Sequence, residues 1–171
     1  MSRPPASDTD TIRGRPNTIP WPPIVLLATV AAGWLLNRAL PAVASQVMVG
    51  HLPMGQLQIW LGWLMVALAI AMDIWVLLIF KNHKTNIRPD RPAETLVTSG
   101  PFAFSRNPIY VGNVAIILGL ALAKGSVWYF LLAPLVLLLI RELAIKREEL
   151  HMSVRFEDAW TNYTKQVRRW L

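Results

Sequence analysis

Four long apolar stretches alternate with polar ones along the chain. The first follows Trp21-Pro22-Pro23 and extends from Ile24 to about Leu40. The second and longest goes from Leu57 to Phe80, with a single acid, Asp73, inside it. A third covers Ile109 to Ala123 and a fourth Val127 to Ile140. A helix rises about 1.5 Å per residue, so roughly 20 residues cross a hydrocarbon core of about 30 Å. The second stretch meets that requirement alone, while the third and fourth must borrow length from their flanks. Spans are therefore predicted at about 24–40, 57–80, 108–123 and 126–145. Pro108 suits the first turn of the third helix, where its missing N–H costs nothing. Lys124-Gly125-Ser126 reads as the tight turn of a helical hairpin. The fourth helix is expected to continue through Arg141 into a long cytosolic helix over 146–171.

These stretches predict an all-α integral membrane protein: a bundle of about four transmembrane helices with a cytosolic C-terminal helix. Residues 21–171 read as one membrane domain and residues 1–20, rich in Pro, Ser, Thr and Asp, as a disordered tail. A signal peptide would run from a short basic start directly into its apolar core, so Ile24 onward is read as a retained span. Composition agrees: 54% of the 171 residues are hydrophobic and only 16% charged, against about 25% charged in soluble domains. Such hydrophobicity excludes intrinsic disorder, and the absence of cysteine excludes a disulfide-stapled fold, thiolate metal sites and a cysteine nucleophile.

Charge sets the expected orientation. Fifteen of the 17 Lys and Arg residues lie in the tail, in the segment 81–108, or after the fourth stretch, leaving Arg38 and Lys124 for the opposite side. With four spans, the positive-inside rule makes both termini and the 81–108 loop cytosolic. The net charge of +7 then finds its counter-charge in anionic lipid headgroups, with no need of nucleic acid.

Two cytosolic segments are richer than a connector requires. Across Leu96 to Gly112, Gly100-Pro101 reads as a turn, since glycine tolerates φ > 0 and proline fixes φ. Pro108 opens a helix whose N-terminal N–H groups favour anions. Arg106, Asn107 and Tyr110 thereby cluster at a helix mouth, although an interfacial tyrosine in a basic loop is also common in membrane proteins. The second segment is Arg147-Glu148-Glu149-Leu150. Ala144 and Met152 flank Glu148 at a spacing of four, and Ile145 and Ser153 flank Glu149. Lys146 is the nearby cation with reach to Glu149, while Glu142 and Lys146 make an ordinary surface pair. Two acids so poorly served by their own helix suit either a solvated face or a cation brought by the tertiary structure or a ligand. Leu150, Val154, Trp160, Tyr163 and Val167 recur at near-helical spacing, an amphipathic stretch suited to packing along the membrane surface. Asp73, roughly two turns inside its span, is costly without a partner, and a structural hydrogen bond is favoured over a substrate contact. His51, His83 and His151 are too scattered to be metal ligands, so no metal site is expected. Neither a Gly-rich phosphate loop nor a serine elbow occurs, and Ser99 has no identifiable base.

Together, Leu96-Val97-x-x-Gly100-Pro101-Phe102-x-x-Ser105-Arg106-Asn107-Pro108-Ile109-Tyr110-x-Gly112 and, about 35 residues on, Arg147-Glu148-Glu149 with Phe156, Tyr163 and Val167-Arg168-Arg169 resemble a family of membrane methyltransferases. That family includes isoprenylcysteine carboxyl methyltransferase and the phospholipid N-methyltransferases. The resemblance covers about residues 85–171. It departs at Asn107, where many members have His, at Glu157, where a Gly usually follows the Phe, and at Trp160, which replaces a Tyr. Asn107 can hydrogen-bond but cannot carry a proton as an acid or base.

The resemblance implies an S-adenosylmethionine-dependent enzyme with a non-Rossmann site at the membrane. The cofactor site it implies comprises Val97, Gly100, Pro101, Arg106, Asn107, Pro108, Tyr110, Gly112, Glu148 and Glu149, with Arg106 and Glu149 as the catalytic pair. The cofactor's ammonium wants a carboxylate from Glu148 or Glu149, and its carboxylate wants Arg106 or the helix N-terminus. Its adenine wants a wall, for which Tyr110, Phe104 and Trp160 are candidates. The expected acceptor is lipidic or amphipathic, a prenylcysteine-like carboxylate foremost and a phospholipid amine as the alternative, methylated at the cytosolic face of a bacterial inner membrane. Two readings from other classes compete: a non-catalytic membrane scaffold or lipid-binding subunit, and a reductase using a nicotinamide cofactor on a related bundle.

Overall fold

The computed structural model of the chain describes residues 19–40, 55–82 and 94–171. Most of the expected tail, His51, His83 and the middle of the 81–108 loop lie outside the described residues. Within them all regular structure is helical, as the apolar pattern predicts. The elements are α1 (Trp21–Ala39), α2 (Gly55–Asn82), a 3-10 turn (Gly100–Ala103), α3 (Pro108–Lys124), α4 (Val127–Ile140), a π-helical turn (Arg141–Ile145) and α5 (Lys146–Gln166). Pro108 is the first residue of α3, and Gly125, at φ +57°, makes the turn between α3 and α4.

Among the described residues three stretches are long and apolar enough to cross a membrane: Trp21–Ala39, Gly55–Asn82 and the continuous helical run Val127–Gln166. The fourth stretch borrows its length from the C-terminal side, as its flank suggested. The third gains little: α3 has 17 residues, a reach of about 26 Å at 1.5 Å per residue. Along α2 the large side chains point outward, with Trp60 69% and Leu68 62% exposed, while Val66, Ala69 and Val76 are buried. Large residues outside and small residues inside is the arrangement expected where lipid, not water, is the solvent. The structure thus shows an all-helical membrane protein.

The described residues divide into two compact units, one made from Pro22–Ile74 and Ile109–Ile140, the other from Trp75–Pro108 and Arg141–Leu171. The first unit is held by close backbone approach and by buried polar pairs. At Gly62 a Cβ would lie 2.7 Å from the Cα of Ala123 and 2.7 Å from the carbonyl oxygen of Gly119, and a Cβ at Gly119 would lie 2.8 Å from the carbonyl oxygen of Gly62. Close approach of this kind supplies the van der Waals contact that joins helices when burial from water cannot. Gln58 Nε2 donates to the Leu122 carbonyl at 3.0 Å, Tyr129 Oη to the Val30 carbonyl at 3.0 Å, and Asn37 Nδ2 to Ser126 Oγ at 2.8 Å. Gly112 makes room for Asp73, since a Cβ there would sit 2.5 Å from Asp73 Oδ1. That oxygen is buried without a hydrogen-bond partner among the described residues, so the structural hydrogen bond expected of Asp73 is not formed at Oδ1.

In the second unit, the π-helical turn adds one residue to a helical turn and advances the facing of everything after it. Further on, α5 bends at Glu157, whose φ of 43° and ψ of −112° are not helical. Positive φ is costly for any residue with a Cβ. The expected unbroken amphipathic helix to residue 171 is therefore a bent helix ending at Gln166, followed by Val167 in extended conformation.

These contacts and the bend at Glu157 give three expectations for stability. Gly62→Ala lowers the midpoint of thermal unfolding in detergent, by the equivalent of about 1–3 kcal/mol, because the added methyl meets backbone and cannot be accommodated by a side-chain shift. Gly55→Ala, with open space at its Cβ, leaves the midpoint unchanged or raises it slightly. Glu157→Gly raises the same midpoint by the equivalent of about 1 kcal/mol, the relief of strain exceeding the entropy lost by a glycine.

Candidate functional site

The segment before α3 is shaped by its own turn chemistry. Ser99 is extended, Gly100 takes φ +62°, and Pro101, within the 3-10 turn, is buried. A Cβ at Gly100 would collide with Ile79 Cδ1, so glycine is required there for space as well as for φ. The Pro101 carbonyl accepts from the N–H of Phe104 at 3.2 Å and of Ser105 at 3.1 Å, which closes the turn. Ser105 Oγ then accepts from the Asn107 N–H at 3.1 Å and presents Arg106 beside the start of α3.

The C-terminal segment fixes this loop. The Arg106 N–H donates to the Arg168 carbonyl at 3.0 Å. The Arg169 carbonyl accepts from Asn107 Nδ2 at 3.0 Å and from Ser105 Oγ at 3.3 Å. From α5, Tyr163 Oη donates to the Phe102 carbonyl at 2.7 Å. Burial pushes the Tyr163 hydroxyl up to about 12, with the positive charge of Arg106 opposing the shift, so it remains a donor at neutral pH. Asn107 thus acts as a buried structural amide.

Glu149 sits at the centre of the charges. Arg169 grips it with both arms of its guanidinium, Nη2 to Oε2 at 2.6 Å and Nε to Oε1 at 3.0 Å. Arg106 Nη1 approaches Oε1 at 3.4 Å, with the Arg106 and Glu149 side chains 14% and 16% exposed. The hydrogen bond from Arg169 to Glu149 holds the Arg169 pKa above its usual value. The cation that Glu149 lacks on its own helix is therefore brought by the tertiary structure, twice over. Lys146, the local candidate, pairs with Glu142 instead.

Beside this cluster lies a cleft of about 90 Å³. Its polar wall is Arg106, Asn107, Glu148 and Glu149, and its apolar wall includes Phe80, Val97, Phe102, Met152, Trp160 and Tyr163. The Phe80 and Phe102 rings are 5.3 Å apart, those of Trp160 and Tyr163 are 5.7 Å apart, and the Arg106 guanidinium lies over Trp160 at 5.7 Å. Arg106 Nε is buried and has no hydrogen-bond partner among the described residues. Buried, with a donor unused, Arg106 is suited to an anion entering the cleft.

Of the residues singled out in the sequence, Val97, Arg106, Asn107, Glu148 and Glu149 meet at this cleft. Gly100 and Pro101 form the turn beneath Phe102, and Pro108 starts α3. Tyr110, buried on α3, and Gly112, facing Asp73, belong to the other unit. Phe104, a candidate for an adenine wall, is 74% exposed and does not line the cleft. Sequence reasoning did not place Phe80, Thr95 or Met152 in the cleft, nor Arg169 on Glu149. Phe80 looks like the last residue of an apolar run, and only the repeated Arg168-Arg169 after Val167 marked the C-terminal partner. Among the described residues no three His, Cys, Asp or Glu side chains gather as metal ligands. Tyr163→Phe, which strips the Phe102 carbonyl of its donor, costs about 1–1.5 kcal/mol, read as a lower denaturation midpoint with the cleft otherwise intact.

Comparison with known proteins places these features in a lineage. The family model for phospholipid methyltransferases matches residues 57–159, which takes in α2, the Gly100–Gly112 motif and the acid pair but stops before Tyr163 and Arg169. The cobalt-zinc-cadmium resistance protein CzcN of Cupriavidus metallidurans is 33% identical over 98 residues, which is 57% of this chain and 42% of that protein. The chain thus matches less than half the length of this relative. No solved structure matches the chain. With well over half of its residues accounted for by one family model, the chain belongs to the phospholipid methyltransferase family.

Proposed function

We propose that the protein is an integral membrane enzyme that transfers a methyl group from S-adenosylmethionine to a lipidic or amphipathic acceptor, with residues 21–171 acting as one methyltransferase domain. The observation that carries the reading is the meeting, in one cleft, of Arg106 with its unused buried donor, the carboxylate of Glu148 and four aromatic rings. The amino-acid end of the cofactor is a zwitterion, and the cleft offers a group for each charge. Arg106 takes the carboxylate and Glu148 the ammonium, both as charge-assisted hydrogen bonds. Glu149, paired with Arg106 in the sequence reading, contributes through Arg106, because both its oxygens are engaged by guanidinium groups.

The donor set fits the cofactor's amino-acid end. At about 90 Å³ the cleft is smaller than the roughly 300 Å³ at which small-molecule sites begin, so the adenosyl part requires it to open. Trp160 and Phe102 are the walls against which an adenine would then pack. When bound, S-adenosylmethionine supplies an electrophilic methyl group on a sulfonium. This chain's residues orient it and keep water from it, and alignment of the acceptor at about 3–3.5 Å supplies much of the rate. Tyr163, held protonated, orders the Phe102 wall. The excess of Lys and Arg in the tail, the 81–108 segment and the C-terminal region supports a cytosolic site at a bacterial inner membrane. A cleft walled by Phe80, near the end of the membrane-long helix α2, supports an acceptor with a lipid tail.

Calorimetric titration of S-adenosylhomocysteine into the full chain, in detergent and in lipid nanodiscs, tests the reading. Saturable binding is expected, weakened about tenfold or more by Arg106→Gln and by Glu148→Gln, as the loss of one charge-assisted hydrogen bond each. No binding to a demonstrably folded protein in either medium would overturn it in favour of the scaffold. Competition by a nicotinamide nucleotide in place of S-adenosylhomocysteine would favour the reductase.

A further inference from the structure

Arg169 lies beyond the residues matched by the family model, yet it pairs with Glu149 more closely than Arg106 does. Both of its contacting nitrogens go to Glu149, at 2.6 and 3.0 Å, whereas Arg106 reaches the same carboxylate with one nitrogen at 3.4 Å. A fork-to-fork pair is the stronger and more directional of the two arrangements. Arg169 also does not line the cleft, while Arg106 does. One carboxylate is thus shared between two guanidinium groups, and the group left less neutralised is the one facing the cleft.

We propose that Arg169 is a positioning residue that sets the charge of the cofactor site: by occupying Glu149 it leaves the positive charge of Arg106 available to the carboxylate of the bound cofactor. This rests on the cofactor assignment above and deepens it. Without Arg169, Glu149 has Arg106 as its remaining partner, and the two neutralise each other inside a poorly solvated pocket. The cleft then loses its anion-binding character although every residue lining it is unchanged. The main-chain anchors of the C-terminal segment do not depend on the Arg169 side chain, because Asn107 and Ser105 donate to its carbonyl oxygen and Arg106 N–H to that of Arg168. Changing the side chain therefore separates the charge effect from the attachment of the segment.

The test compares two ligands, S-adenosylhomocysteine and 5′-methylthioadenosine, which lacks the amino-acid end. In the full chain, Arg169→Gln is expected to weaken S-adenosylhomocysteine about tenfold and to leave methylthioadenosine within about twofold of the parent. Arg169→Lys recovers part of the loss. The double variant Glu149→Gln with Arg169→Gln, in which Arg106 is again unneutralised, returns S-adenosylhomocysteine to within about threefold of the parent. Equal weakening of both ligands would overturn the proposal, since a merely structural role moves both. So would a double variant as weak as Arg169→Gln alone, or an Arg169→Gln chain that binds S-adenosylhomocysteine as the parent does. Failure of the underlying cofactor reading looks different: the parent chain itself then binds neither ligand.

Discussion

A single carboxylate, Glu149, organises the polar half of this protein. It receives Arg169 through two hydrogen bonds and Arg106 through a longer contact, and it sits at 16% side-chain exposure where an unpaired charge would be costly. The two arginines come from segments far apart in sequence, one from the loop before α3 and one from the segment after α5. Joining them at one acid therefore closes the loop onto the C-terminal segment. Carbonyl oxygens of Arg168 and Arg169 complete that closure by accepting from Arg106, Asn107 and Ser105. Remove the carboxylate and two guanidinium groups face each other with nothing between them.

The apolar unit is governed by a different constraint. Helices that face lipid gain nothing by hiding large side chains from one another, so association depends on how closely their backbones approach. Gly62 and Gly119 provide that approach, and polar side chains such as Gln58 and Asn37 add hydrogen bonds that lipid cannot replace. Asp73 Oδ1, beside Gly112, and Trp128 Nε1 depart from this satisfaction of polar groups, each buried without a hydrogen-bond partner among the described residues.

Departures from the family pattern acquire physical meaning in the structure. Where a glycine usually follows the aromatic residue of α5, this chain has Glu157, and that is the residue with positive φ. The bend thus falls on a residue poorly suited to positive φ, in the helix whose Tyr163 donates to the Phe102 carbonyl. Asn107 for histidine shows the opposite case. The amide is well suited to its place, since it donates to a backbone carbonyl and need not change protonation.

The sequence by itself determined the class of protein, the four apolar helices, the α3–α4 turn at Gly125 and the two segments that converge on a site, because apolar run length, glycine and proline are local properties that one stretch of chain displays on its own. It also marked Glu149 as an acid whose own helix offers it only Lys146 as a nearby cation. Only the tertiary structure decided which cation arrives, that Arg169 takes the closer position, that Phe80 and Met152 rather than Phe104 wall the cleft, and that α5 bends at Glu157. A π-helical turn at Arg141–Ile145 shifts the face that Glu148 and Glu149 present, and no periodicity in the sequence announces it. Pairings between residues 20 to 64 positions apart, such as Arg169 with Glu149 and with Ser105, depend on how the chain returns upon itself, which no local pattern encodes.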